Sequence, residues 1–136
     1  MDKIHSDDAP EPVGSYPHAR RVGNLLFLSG VGPRKKGSTQ IPGVTLDAEG
    51  NIISRDIEQQ CHAVFQNVRS ILEASGSHWD NLVDVTVFLT HMKEDFPAFN
   101  KIYGEYFQHN QPCRTTVEVN ALPTPIAIEL KCIATV

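Results

Sequence analysis

An arginine and a glutamate in the last quarter of the chain carry the residue types and spacing that hydrolytic chemistry needs. Arg114-Thr-Thr-Val-Glu-Val-Asn120 and, past Leu122-Pro123, Ile126-Ala-Ile-Glu129-Leu both alternate apolar and polar residues with a period of two. That is the pattern of half-buried strands. In the first segment Arg114, Thr116, Glu118 and Asn120 share one face. In the second, Ile126, Ile128, Leu130 and Cys132 share a face, with Glu129 and Lys131 opposite. Taken as neighbouring strands, the two put a guanidinium at the mouth of one within reach of a carboxylate midway along the other. A guanidinium fork grips a carboxylate ligand bidentately. A glutamate desolvated in a closed cleft has its pKa raised towards the range where proton exchange is efficient. Residue type leaves a second reading open for each: a strand-end arginine paired with an acidic neighbour, and a glutamate on a solvated sheet face.

The whole chain bounds what such a pair serves. Its 136 residues, 40% apolar and 21% charged, make one domain's worth of core with no sign of low complexity. A net charge of −4 offers phosphate backbones no general attraction, so no nucleic-acid partner is expected. No run approaches the roughly 18 apolar residues of a membrane span, and Met-Asp-Lys-Ile-His-Ser-Asp-Asp lacks a signal-peptide core, so a cytoplasmic protein with no membrane partner is expected. Three widely spaced cysteines form neither a disulfide framework nor a C-x-x-C site. The histidines lack metal-ligand spacing, and neither a P-loop nor a G-x-G-x-x-G is present. No metal and no cofactor are expected.

The elements that must position the pair can be read in order. Residues 1–12, acidic and proline-containing, read as a mobile arm ahead of a single domain over 13–136. Arg20–Val22 and Leu25–Ser29 flank Gly23-Asn24, a hairpin turn pair. Residues 30–50 read as a long loop with Arg34-Lys35-Lys36 in its middle, and long loops tend to be functional or disordered. A short strand covers Ile52–Ser54. Asp56 to Ser75 reads as a helix, with Ile57, Cys61, Val64, Val68 and Leu72 as its apolar stripe, a cap at Asp56–Gln59 and Gly76 past its end. Leu82 to Thr90 is a central strand. A second helix starts near Asp95-Phe96-Pro97, with proline in its first turn. The plan is α+β: a mixed sheet covered on one face by two helices, its other face apolar and left for self-association to bury.

Six blocks then resemble a known family in register: Gly14-Ser-Tyr16-Pro-His18-Ala, Leu26-Phe-Leu-Ser29-Gly30, Asn67-Val-Arg-Ser-Ile-Leu72, Val85-Thr-Val-Phe-Leu89, Asn100-Lys-Ile-Tyr-Gly-Glu-Tyr-Phe107 and Pro112-Cys-Arg114-Thr-Thr-Val-Glu-Val119. The chain resembles the Rid (reactive intermediate deaminase) family over about Gly14 to Ala134. That resemblance implies a chorismate-mutase-like fold and a homotrimer whose sheets pack inward as a central barrel, with active sites between subunits. It implies cofactor-free hydrolysis of imines and enamines to carbonyls and ammonia. It assigns Arg114 to the substrate carboxylate, Glu129 to the attacking water, and Tyr16, Ser29, Gly30 and Asn100 to the lining of the cleft.

The chain departs from the common family pattern at Pro17-His18, at Val31-Gly-Pro-Arg34-Lys-Lys, and at Thr116, which stands where many members carry cysteine. The first two resemble the branch of the family that acts on 2-aminomuconate, releasing 4-oxalocrotonate and ammonia in the catabolism of aromatic compounds or tryptophan. Such a dicarboxylate enamine or imine needs a second cation, and Arg34 is the first choice among Arg20, Arg21, Arg34, Lys35 and Lys36. His18 stands as either a titratable neighbour of an anionic substrate or a loop histidine without a task. The alternative function is the broader one, clearance of 2-aminoacrylate-type imines. A ligand-binding, RNA-directed or chaperone-like trimer is the non-enzymatic alternative.

Overall fold

In the computed structural model, which describes residues 2–136, eight strands and two helices follow the chain as β1 (Asp2–Ile4), β2 (Ala19–Val22), β3 (Leu25–Leu28), β4 (Val44–Leu46), β5 (Ile52–Arg55), α1 (Ile57–Ala74), β6 (Leu82–Leu89), α2 (Met92–Tyr106), β7 (Cys113–Glu118) and β8 (Ile128–Thr135). Six strands form one mixed sheet in the order β1-β2-β3-β8-β6-β7, and β4 and β5 pair separately as a hairpin. Only β6 and β7 run parallel, joined through α2 as a crossover needs. Both helices lie on one sheet face, as the apolar patterning predicts.

The sheet is open, with β1 and β7 as its edges and no closure between them. The expectation of a sheet packed as a central barrel is therefore corrected: the barrel came from the family resemblance alone, and no strand pairing closes one.

Along β8 the alternation is complete. Ile128, Leu130, Cys132 and Ala134 are buried beneath the helices, while Glu129, Lys131, Ile133 and Thr135 stand half-buried on the uncovered face. In β6, Val85, Val87 and Leu89 join the covered side and Thr86 and Phe88 the open one. The apolar stripe of α1 supplies Val64, Phe65, Val68 and Leu72 to the core, each fully buried and each contributing roughly 1.5–3 kcal/mol. Asp56 caps α1 by accepting from the Glu58 and Gln59 amides at 3.0 and 3.2 Å.

Three local readings change. First, α2 begins at Met92, whose amide donates to Glu118 Oε1 at 2.9 Å, so Pro97 falls in the second turn rather than the first. Second, the 30–50 loop contains a strand, β4, held against β5. Third, residues 2–12, expected to form a mobile arm, lie on the body of the fold. There β1 pairs antiparallel with β2, and Ala9 is fully buried in the core. Acidic, proline-containing composition hid this because the contacts run through backbone groups and three small or isolated side chains, Ile4, Ser6 and Ala9.

Candidate active site

Glu129 projects from β8 on the uncovered sheet face, where Gly30 comes close against it. A methyl group at residue 30 would stand 2.9 Å from Glu129 Oε2, so the missing side chain makes room for the carboxylate. The close approach is fixed by a two-way backbone bridge, Val31 N–H to Leu130 C=O and Leu130 N–H to Val31 C=O, both 2.8 Å. Burial pushes the Glu129 carboxyl above the ordinary glutamate range, and the Arg34 guanidinium partly offsets that rise.

Gly30 also lines a small cleft with Tyr16, His18, Ser29 and Arg34, whose open volume of about 30 Å³ is close to that of a single water. Asn67 of α1 holds the loop in place, its Nδ2 donating to the carbonyls of Gly32 and Arg34 at 2.9 and 2.7 Å. Asn67 was expected only as part of a family block. The signal for its task is a polar residue within the apolar stripe of α1, seven positions after the fully buried Gln60.

The polar atoms of this wall are partly committed. The Ser29 hydroxyl donates to Pro17 C=O at 2.7 Å, and Tyr16 Oη accepts from the Val13 amide at 3.3 Å. His18, 6% exposed, uses both ring nitrogens on backbone: Nδ1 accepts from the Ser6 amide at 2.8 Å and Nε2 bonds Pro10 C=O at 2.7 Å. It presents no free nitrogen to a ligand.

Arg114 lies elsewhere. Its Nη1 donates to Asn100 Oδ1 at 2.9 Å, and its Cζ sits 4.7 Å from the Tyr103 ring centroid, 5.5 Å from Phe99 and 5.8 Å from Phe96. Aromatic faces favour a cation at these distances, so α2 holds the guanidinium by one hydrogen bond and three rings. The pattern Phe96, Phe99, Asn100, Tyr103 at helical spacing carried that signal in the sequence. The buried hydroxyls of Thr116 and Tyr103 find no hydrogen-bond partner among the described residues.

The two halves do not meet in one chain. Strand β6 runs between β7 and β8, so the two C-terminal strands are not neighbours. Arg114 registers with Val85, and Val85 with Cys132, which leaves the backbones of Arg114 and Glu129 about 14 Å apart from strand spacing and rise. Arg114 and Cys132 face the helices, and Glu129 faces away. Alternation assigned each face correctly, but it carries no information on which strands pair. The candidate residues thus fall into two separate groups: Glu129 with Gly30 and Arg34, and Arg114 with Asn100 on the helix-covered face.

Two thiols are silent: burial pushes Cys61 and Cys132 up to about 12. Among the described residues no group of three or more histidine, cysteine or acidic side chains gathers as metal ligands would, and no helix is long and apolar enough to cross a membrane.

Comparison with known proteins finds a family model, described as Endoribonuclease L-PSP, matching residues 6–136. A RutC family protein of Pyrococcus horikoshii is 39% identical over 132 residues, covering 96% of this chain and 94% of its own length. Reactive Intermediate Deaminase A, chloroplastic, of Arabidopsis thaliana is 36% identical over 97% of this chain and 64% of its own. Among solved structures, that of E. coli TdcF with bound serine superposes with a TM-score of 0.86 at 27% identity, covering 100% of this chain and 99% of that one.

Proposed function

The chain belongs to the Endoribonuclease L-PSP family, alongside the RutC and Rid proteins, and from that premise we propose that it hydrolyses imines and enamines of small 2-amino acids to 2-oxo acids and ammonia. The observation that carries this reading is the half-buried Glu129 carboxyl, raised by desolvation and seated against Gly30, which also lines the small cleft of Tyr16, Ser29 and Arg34. A protonated imine is already electrophilic, so its catalyst needs to fix the substrate, place one water and move protons. Ionised Glu129 takes a proton from water as the oxygen bonds to the imine carbon, giving a carbinolamine. The same carboxyl then returns the proton to nitrogen. The C–N bond breaks to release ammonia, and the hydroxyl loses its proton as C=O forms.

Arg114 supplies the grip on the carboxylate beside the imine carbon, provided that it comes from a second copy of the chain. The split between the half-sites supports this assembly, as does the open face carrying Leu25, Phe27, Phe88, Val117 and Ile133 without a helix over it. The reading is of a homotrimer with one site at each subunit boundary. Names borne by relatives point the same way: one is a deaminase of reactive intermediates, and TdcF holds serine.

A second, narrower reading takes a dicarboxylate, 2-aminomuconate, through its imine tautomer to 4-oxalocrotonate. It is favoured by Arg34, which lines the pocket and acts electrostatically on Glu129. The test generates 2-aminoacrylate and 2-aminomuconate in situ and follows ammonia release. Acceleration by the wild type and its loss in Arg114→Ala and Glu129→Gln are expected. No acceleration on either compound, with salt-dependent RNA binding instead, would overturn the deaminase reading.

A further inference from the structure

Arg34 does not stand free in its pocket. Its Nη2 donates to the backbone carbonyl of Glu11 at 2.7 Å, while Asn67 fixes its own carbonyl from below. Glu11 in turn belongs to the segment that His18 holds. The Ser6 amide can only donate, so His18 Nδ1 must accept, and the ring proton resides on Nε2, donating to Pro10 C=O. A neutral, buried imidazole thus ties down the chain at residues 6 and 10, with Ala9 sunk into the core between them. Residues Ala9, Pro10 and Pro12 form one wall of the small cleft that Tyr16, Ser29, Gly30 and Arg34 also line, with His18 behind that wall bonded only to backbone. The exposed Lys36–Glu11 ion pair at 3.3 Å adds little to this.

We propose that His18 is a latch on the N-terminal segment, and that the latched segment, through the Glu11 carbonyl, positions Arg34 to receive a second anionic group on the substrate. His18 acts here as a positioning residue, through residues 6–12, and touches no substrate. An arginine side chain carries about 2 kcal/mol of rotamer entropy, and fixing it before substrate arrives removes that cost from binding. The consequence is selectivity: the arm is needed for dicarboxylates and is immaterial to a monocarboxylate imine, which Arg114 alone can grip. This inference rests on the dicarboxylate reading above, but the posture of Arg34 can be measured without any substrate.

Ser6→Pro deletes the amide that His18 accepts, and Ser6→Ala keeps it. The first readout is modification of Arg34 by phenylglyoxal, followed by mass spectrometry with Arg69 as internal reference. Ser6→Pro and His18→Phe should each speed Arg34 modification severalfold, and Ser6→Ala should not. The second readout is kinetic. Ser6→Pro should raise KM for 2-aminomuconate about tenfold, the scale of one lost charge-assisted hydrogen bond, with kcat and the 2-aminoacrylate constants unchanged. Combining it with Arg34→Ala should add nothing to the effect of Arg34→Ala alone. Unchanged Arg34 reactivity in Ser6→Pro, or equal KM rises on both substrates, overturns the latch. Faster Arg34 modification in an enzyme that turns over only monocarboxylate imines would keep the latch on Arg34 but overturn its part in substrate selection, along with the dicarboxylate reading. Should His18→Phe fail to fold, Ser6→Pro decides, because it substitutes none of the pocket-lining residues.

Discussion

Gly30 and Glu129 are in direct contact across the β3 exit and β8: the space that a Cβ at residue 30 would occupy ends 2.9 Å from Oε2 and 3.0 Å from Cδ of the carboxyl group. The glycine is therefore tied to the carboxylate by space rather than by backbone conformation. Gly30→Ala should displace the carboxyl group by a few tenths of an ångström or more and lower kcat by up to roughly 10²-fold, the sensitivity expected of a misplaced catalytic group. Thermal stability should change little, since the displaced atoms are the flexible end of a half-buried side chain. Kinetics with parallel melting curves check this.

The pH profile follows from the same carboxyl group. Water activation requires ionised Glu129, and burial raises its pKa. Activity should accordingly fall on the acid side at a pH above the ordinary glutamate range. Arg34 lowers the pKa of Glu129, so Arg34→Ala should move that acid limb to still higher pH. A pH series of kcat/KM on the two proteins reads the sign directly.

Glu129 should also cost stability. Its folded pKa lies above the unfolded one, so between those two values the native state binds more protons and stability declines as pH rises. At neutral pH the full penalty is present. Glu129→Gln should melt higher than wild type at pH 7, with the gap closing as pH drops below the glutamate range and the wild-type carboxyl becomes neutral as well.

Asn100 is expected to act through Arg114, since its Oδ1 accepts from the guanidinium at 2.9 Å. The bond is exposed, which limits its worth to about 1 kcal/mol. Asn100→Ala should raise KM about fivefold for any carboxylate substrate and leave kcat nearly unchanged. Asn100→Asp, which keeps the acceptor, should retain most of the affinity.

Periodicity made much of the fold legible. The α1 stripe, the Gly23-Asn24 hairpin and the alternation of β6, β7 and β8 are local patterns, and each is present at the expected residues. Strand adjacency is not local. A parallel β6–β7 pair through α2 inserts β6 between the strands bearing Arg114 and Glu129, and no alternation pattern encodes that. The same limit applies to the closed barrel, which gave way to an open six-stranded sheet. His18 shows another: its residue type announces titration, but its two backbone partners lie in a segment whose composition reads as disordered. Arg34 beside Glu129 was reachable from charge and loop position, whereas Asn67 beneath it required noticing a polar residue on a buried stripe.

The proposal that two chains complete each site is tested most directly by subunit mixing. Arg114→Ala and Glu129→Gln are each expected to be inactive alone. Co-expressed or exchanged in equal amounts, they should regain about a quarter of wild-type turnover, because random association makes one boundary in four from an intact Glu129 and an intact Arg114 on different chains. Mixed oligomers no more active than either parent would contradict a shared site and require both groups to act from one chain.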